Sequence, residues 1–422
     1  MISRIKLALY FTVARYFRFF ARLRLLRWKP RIVIVTGSNG KTMALHFLAL
    51  QLGPAAKYSF NANSAIGVPF DILGLKRKSF LPIEWIWLFL AAPICALKGP
   101  YPEKIYVVEA DGDRPGEGDF FGPFLQPEVC VWLSAARTHT MLFEDIANER
   151  GFKSIDEAIA YEFSCFITHA SKLVIVNADM PLIARYSTRA RAPVFEIKEA
   201  GSLSRHEVSF AGSEFTIEGI DYRLPFLLPK ETFYAIKASL KIAEYFGVRT
   251  TRDLSSLVVP PGRSSVFRGV KNTTLVDSSY NVNADSVIAI VNMAEKLPGE
   301  RWLILGDLTE QGRFEPEEHE RLGHVLAGSD FKRIVLVGPR LRAHTKPIIE
   351  TSGRGIIVES FLGPKDALDY ILSALHGGEV LVFKGARFLE GIIEHLLEDE
   401  ADAEKLCRRE KIWQERRKKW GL

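Results

Sequence analysis

Ile32-Val33-Ile34-Val35-Thr36-Gly37-Ser38-Asn39-Gly40-Lys41-Thr42 decides how this chain is read. A β-branched run turns through two glycines into a helix-length segment, Met43 to Leu52. Such a turn makes a phosphate cradle, because backbone N–H groups and the positive end of the helix dipole converge on it. Gly37, Ser38, Asn39 and Gly40 would wrap the phosphates, Lys41 would reach the β/γ-phosphates, and the Thr42 hydroxyl would sit on Mg²⁺. The expected ligand is therefore a nucleoside triphosphate. The pattern is the short form TGxxGKT, with Val35 standing where the longer form has a further glycine.

Outward from this loop, short apolar runs alternate with helix-length segments, the mark of a mostly parallel sheet covered by helices. The strand candidates are Ile32–Val35, Ile105–Val108, Val129–Leu133 and Leu173–Val176. Polar clusters follow them at the sheet edge where open α/β folds bind ligands: Glu109 to Asp113, Ser134 to His139, and Asn177 to Asp179. Short alternating pieces between Glu207 and Leu228 predict a small antiparallel patch, and a helix is expected over Tyr234 to Phe246. Pro260-Pro261-Gly262 then marks a boundary. Beyond it, Thr274–Val276, Trp302–Leu305, Ile334–Val337 and Val380–Phe383 form a second set of strands. The expected organisation is an α/β protein: residues 1–29 as a basic amphipathic helix, 30–258 as a central P-loop ATP-binding domain with a mostly parallel sheet, and 259–422 as a C-terminal Rossmann-like α/β domain.

The 422 residues, 47% hydrophobic and 25% charged, belong to a folded protein with room for several cores. Cys95, Cys130, Cys165 and Cys407 stand far apart, which excludes a zinc knuckle or disulfide framework and fits a cytoplasmic setting. The net charge of +6 is concentrated at the start, where Arg4, Lys6, Arg15, Arg18, Arg22, Arg24, Arg27 and Lys29 meet no acid. Leu7, Phe11, Phe19, Leu23 and other apolar residues between them compose a helix for the inner face of a membrane or, equally, for the protein's own body. Arginine interrupts it too often for a membrane span. The apolar stretch Leu81 to Leu97 has two readings, a buried helix or a segment dipping into lipid beside the first helix. A second basic run, Arg408 to Lys419, reads as a solvated helix face. No nucleic-acid-binding signature accompanies either run, so no nucleic-acid partner is expected.

The strand-end motifs follow the order of a known family. The chain resembles the Mur ligases through Thr36–Thr42, Asn63-Ser64-Ala65-Ile66-Gly67, Glu109-Ala110-Asp111 with Arg114-Pro115-Gly116-Glu117, His139, Asn177-Ala178-Asp179, Gly262-Arg263, Asp277 to Asn283, Gly306 to Gly312 and Lys384-Gly385-Ala386-Arg387. The resemblance implies an ATP-dependent amide-bond ligase that works through an acyl phosphate. It would add an amino acid or dipeptide, such as D-alanyl-D-alanine, to a muropeptide-like precursor of peptidoglycan. ATP and Mg²⁺ are the implied cofactors. Thr42 and Glu109 would hold one metal ion and His139 a second; Arg263, Asp277, Tyr280 and Asn281 would grip the nucleotide. Lys384 and Arg387 would face the incoming substrate or the acyl phosphate.

The chain departs from the family pattern at four places. The domain that holds the UDP moiety does not precede the phosphate loop, which leaves a different, lipid-linked acyl substrate as an alternative. The family's carbamylated lysine falls on Tyr161 or Glu162, so Glu162 is expected to supply that carboxylate to the second metal. The adenine signature is replaced by Leu228 to Ala235, with Tyr234 available to stack on a base. An Asp-Asp pair has become Asp277-Ser278, and the proline after it is Ala284. The lost lysine and adenine motif are what a non-catalytic scaffold of the same fold would show; Lys41, Thr42, Glu109 and Asp277 are what an enzyme would keep.

Overall fold

The apolar runs fold as strands that are buried along nearly their whole length, as expected for sheets covered on both faces. The computed structural model describes residues 2–60, 62–77 and 82–422. Two compact units emerge, one of Met1–Ala136, Leu142–Ala200 and Tyr234–Thr251, the other of Arg137–Met141, Gly201–Phe233 and Arg252–Leu422.

The first unit holds β1 (Arg31–Thr36), β2 (Ala56–Tyr58), β3 (Ile105–Glu109), β4 (Val129–Trp132), β5 (Leu173–Asn177) and β6 (Val194–Ile197). They pair in parallel in the order β2-β3-β1-β4-β5-β6. Its helices are α1 (Ile2–Trp28), α2 (Lys41–Leu52), α3 (Gly67–Leu73), α4 (Ile83–Ala96), α5 (Glu117–Leu125), α6 (Glu144–Glu149), α7 (Ile155–Ile167), α8 (Pro181–Tyr186) and the body of α9 (Thr232–Tyr245). Because β1 has β3 on one side and β4 on the other, chain connections diverge at its carboxyl end. Open α/β sheets bind ligands at such a point.

In the second unit, β7 (Leu203–Ser209), β8 (Gly212–Ile217) and β9 (Ile220–Leu224) make the expected antiparallel patch. The main sheet is β10 (Ser265–Gly269), β11 (Thr273–Ser278), β12 (Arg301–Gly306), β13 (Arg333–Val337), β14 (Ile357–Phe361) and β15 (Val380–Lys384), in the order β10-β11-β15-β12-β13-β14 with only β10 antiparallel. Alternate residues of β12 serve opposite faces, as a two-residue period requires. Leu303 and Leu305 pack with α10 (Ala284–Ala294) and α11 (Glu315–Ala327). Trp302 and Ile304 pack with α13 (Pro364–Ala374) and α14 (Leu389–Leu396), while α12 (Lys346–Glu350) and α15 (Lys411–Lys418) complete the unit.

Four sequence expectations are settled or changed here. Residues 201–233 group with the second unit and not with the central domain, because Val208 and Leu227 enter its core and Lys296 Nζ donates to the His206 carbonyl at 2.8 Å. Helix α1 is not a separate body: it docks on the first unit through buried Ala14, Phe17, Ala21, Leu25 and Trp28. Phe17 meets Phe70 edge-on at 4.6 Å, Arg24 Nη1 donates to Leu73 O at 2.6 Å, and Trp28 Nε1 donates to Glu103 O at 2.6 Å. The apolar stretch from residue 81 is a helix, α4, whose Leu88, Ala92, Cys95 and Ala96 are buried; Leu81 itself lies outside the described residues. Among the described residues no helix is long and apolar enough to cross a membrane. The second basic run is partly internal, with Arg409 and the buried Arg417 both on Glu394, at 2.6 and 3.3 Å.

Candidate functional site

The loop from Gly37 to Gly40 is clamped by the chain that follows β4. Ser38 N donates to Ser134 O at 3.1 Å and Asn39 N to Ser134 Oγ at 2.6 Å, while Ser38 Oγ donates to Ala136 O at 2.9 Å. Gly37 sits at φ 131°, and a Cβ there would lie 2.8 Å from Ser134 N, so only glycine fits. Gly40, at φ 84°, precedes α2 and brings no side chain of its own to cap it. A helix offers its first N–H groups no intrahelical acceptor, so those of α2 open at the loop.

Lys41 is buried and folds back over this loop, donating from Nζ to Gly37 O at 2.5 Å and pairing with Asp111 Oδ1 at 3.1 Å. Burial pulls its pKa down, but the carboxylates of Asp111, Asp113 and Glu109 outweigh burial and hold it above the ordinary lysine value. Asp111 in turn is raised, by burial and by Asp113 and Glu109, against the pull of Lys41. Thr42 Oγ1 donates to Glu109 Oε2 at 3.0 Å, and Glu109 N is held by Ser59 Oγ at 2.9 Å. Register explains the grouping: Glu109 lies opposite Val35, next to the start of the loop. Glu109, Asp111 and Asp113 alternate along an extended strand end, and extended chain sends every second side chain to one side. Asp111 and Asp113 were the residues missed from the sequence, and that spacing was the available signal.

Below the cluster, Glu117 is fully buried. Its Oε2 accepts from Asp113 N and Arg114 N, both at 3.1 Å, and its Oε1 from the Tyr10 hydroxyl at 3.1 Å. Burial pushes it up to about 8, with Arg114 opposing. Glu162, expected at a second metal, is occupied otherwise. Its oxygens accept from Gly116 N at 3.0 Å and Gly118 N at 2.6 Å, so it caps α5, and burial pushes it up to about 7. His139 belongs to the second unit, at φ 51°, with Nδ1 paired to the Glu310 carboxylate. Of the four residues expected to hold metal, the structure thus brings Thr42 and Glu109 together and employs the other two elsewhere. Tyr234, the candidate for base stacking, opens the first unit's share of α9 with its hydroxyl on Asp179 Oδ2 at 2.6 Å.

The second unit gathers its own polar cluster at the ends of β11, β12 and β15. Asp277 is completely buried; Oδ1 accepts from Ser279 N at 2.9 Å and Ser279 Oγ at 2.6 Å, while Oδ2 is buried with no hydrogen-bond partner among the described residues. Lys384, also buried, donates to Asn281 O at 2.6 Å. Burial and Arg263 pull it down to about 7, with Asp277 opposing. The Arg263 guanidinium lies 4.8 Å above the Tyr280 ring. Asn283, in the same loop, caps α10 in a reciprocal pair with Ser286. Arg387, expected to face substrate, is turned onto the buried Asp307 through Nε at 3.1 Å and Nη2 at 2.6 Å. The strand ends approach so closely that a Cβ on Gly306 would lie 1.9 Å from Ala386 O, which is why a glycine stands there.

Comparison with known proteins places these motifs. Residues 262–387 match the family model of the Mur ligase glutamate ligase domain. The UDP-N-acetylmuramoyl-tripeptide–D-alanyl-D-alanine ligase of Bacillus subtilis is 24% identical over 381 residues, spanning 87% of this chain and 76% of that protein. The Escherichia coli enzyme of the same name is 26% identical over 327 residues, spanning 74% of this chain and 66% of that protein. Among solved structures, the MurF ligase of Thermotoga maritima in complex with ADP superposes with a TM-score of 0.73 at 22% identity, over 93% of this chain and 84% of that one. Residues 262–387 thus carry a Mur ligase C-terminal domain, and the chain as a whole is similar to Mur ligases in the order of its motifs and in its fold.

Proposed function

We propose that the chain is an ATP-dependent amide-bond ligase of the cytoplasm, joining D-alanyl-D-alanine to the carboxylate of a muramoyl-tripeptide precursor of peptidoglycan. The observation that carries this reading is the Lys41–Asp111 pair beside the Thr42–Glu109 pair, set on a phosphate loop at the sheet's switch point. The residues fit a magnesium nucleotide. Three carboxylates surround one lysine, Glu109 and the Thr42 hydroxyl are hard oxygen donors, and α2 starts at the end of the glycine loop, where a helix N-terminus favours phosphate. Mg²⁺ is commonly held by one or two carboxylates plus phosphate and water.

Bound MgATP supplies an activated phosphoryl group and screens its charge. A substrate carboxylate oxygen bonds to the γ-phosphorus as the bond to ADP breaks. The amine then bonds to the acyl carbon, phosphate leaves with the former carboxylate oxygen, and the nitrogen gives up its excess protons. Lys41 faces the transferring oxygens, where a fixed cation lowers the barrier of a step that depends on charge stabilisation more than on covalent help. Glu109 orients the Thr42 hydroxyl. In the second unit, Arg263, Lys384 and Arg408 outnumber Asp277 and Glu390 and so favour an anionic group, while Asp307 restrains Arg387 at the strand ends.

The test is phosphate release by the full chain with ATP, Mg²⁺, UDP-N-acetylmuramoyl-tripeptide and D-alanyl-D-alanine. Release that requires both the tripeptide and the dipeptide is expected. Release indifferent to both would overturn the substrate assignment, and an inert chain would overturn the enzyme reading.

A further inference from the structure

The outward sides of α1 and α4 take no part in the ligase chemistry. On α4, Ile83, Ile86, Trp87, Leu90 and Ile94, continued by Leu97, are 56% to 73% exposed. Spacings of three and four residues put them on one stripe of the helix. On α1, Leu9, Phe19, Leu23 and Leu26 are likewise exposed. The two helices pack side by side: the Tyr16 hydroxyl donates to Phe89 O at 2.8 Å, Phe17 stacks on Phe89 at 5.0 Å, and Arg27 Nη1 donates to Leu97 O at 2.7 Å. Single exposed leucines are ordinary on a folded protein, but apolar stripes on two adjoining helices mark an interaction surface.

Charge identifies the occupant. The sequence of α1 contains no Asp or Glu, and Arg15, Arg22 and Arg27 are exposed along it, with Lys29 exposed just past its end and Lys98 just past α4. The one acid of α4, Glu84, lies 3.9 Å from Arg77. Beside α1 a groove of about 510 Å³ opens toward the start of α5, walled by Leu7, Phe11, Pro115 and Phe120 and flanked by Arg15 and Arg18, with Asp119 its one acid. The Arg18 guanidinium lies 4.8 Å above the Phe120 ring and donates to Phe120 O at 2.9 Å. Burial and the neighbouring Arg22 and Arg15 pull Arg18 below the ordinary arginine value, as positive groups collected together do. A second copy of the chain would bring two such arginine-bearing helices together across a self-complementary interface, where like charges repel. An anionic bilayer offers both missing complements, an acyl layer for the stripes and phosphates for the arginines.

We infer that the α1–α4 face docks on an anionic lipid bilayer. The α4 stripe and Leu9, Phe19, Leu23 and Leu26 sit at the acyl boundary, and Arg15, Arg22 and Arg27 lie at the headgroups. The inference is independent of the ligase reading, so its test needs no turnover. The full chain is sedimented with vesicles of phosphatidylglycerol and phosphatidylcholine, and with phosphatidylcholine alone. Two variants, Trp87→Glu with Leu90→Glu and Arg15→Glu with Arg22→Glu, change exposed side chains and are expected to melt as the parent does. Binding to the anionic vesicles is expected, weakened about tenfold or more by either variant, by omission of the anionic lipid and by high salt. The inference is overturned if the parent stays in the supernatant, or if both variants bind as the parent does. It is also overturned if the parent ignores vesicles and runs as a dimer that Trp87→Glu with Leu90→Glu converts to monomer.

Discussion

The two parallel sheets each end in a buried polar cluster, and the clusters have opposite charge balance. At β1 and β3 of the first unit, Glu109, Asp111 and Asp113 surround Lys41; at β11 and β15 of the second, Arg263, Lys384 and Arg408 lie about Asp277 and Glu390. The pKa directions follow. Lys41 is raised by its carboxylates, whereas Lys384 is lowered by burial and a neighbouring arginine. One sheet architecture thus builds a site that welcomes added positive charge, as a metal ion brings, and another that welcomes added negative charge. Strand ends supply the place, and the few side chains on them supply the sign.

The largest effect is expected from the first cluster. Lys41→Ala should lower substrate-dependent phosphate release by at least about 10²-fold, the scale of losing one preorganised transition-state donor. The circular dichroism spectrum should not change. A nearly normal rate would remove the phosphate loop from the chemistry. Next, Glu109→Gln should raise the Mg²⁺ concentration for half-maximal rate by about tenfold, as loss of a charged ligand does. Glu162→Gln, whose parent side chain caps α5, should leave that concentration unchanged. If the two variants shift it equally, the assignment of Glu109 and Glu162 to different tasks fails.

The second cluster is tested by pH. Lys384 stands at about 7 in the folded protein against 10.5 ordinarily, so between these values the unfolded chain binds more protons and stability rises with pH. Lys384→Met removes that slope. The variant's urea midpoint relative to the parent should therefore be higher at pH 6.5 than at pH 9.5. A constant difference would mean that Lys384 is as easily charged as a surface lysine. The smallest effect is that of Glu162, which burial raises from 4.5 to about 7. Over that interval the folded protein binds more protons, and the parent loses stability as pH rises. The melting temperature of Glu162→Gln relative to the parent should climb from pH 5 to pH 8. A flat difference would show a carboxylate that ionises freely.

The first cluster was more legible in the sequence than the second. The all-apolar runs located eight strands of the two main sheets to within a residue or two, because a doubly covered strand is apolar at successive positions whatever its neighbours, whereas the less buried β2, β6, β10 and β14 carried no such run. The phosphate loop was equally plain, being one contiguous segment. What stayed hidden depends on contacts between distant residues. Arg387 is claimed by Asp307, and Glu162 by the amides of Gly116 and Gly118; nothing local to either residue announces these partners. The docking of α1 was ambiguous for a related reason. Its arginines are spread along the helix, and Arg24 is buried with its charge spent on a carbonyl of the chain.

Phosphoryl transfer to a carboxylate leaves its record in oxygen atoms. With a muramoyl-tripeptide carrying ¹⁸O in the reacting carboxylate, ATP, Mg²⁺ and D-alanyl-D-alanine, the phosphate released by the full chain should acquire one ¹⁸O per peptide bond formed, and Lys41→Ala should form labelled phosphate and product at least about 10²-fold more slowly. Peptide formed with unlabelled phosphate would contradict an acyl-phosphate ligase.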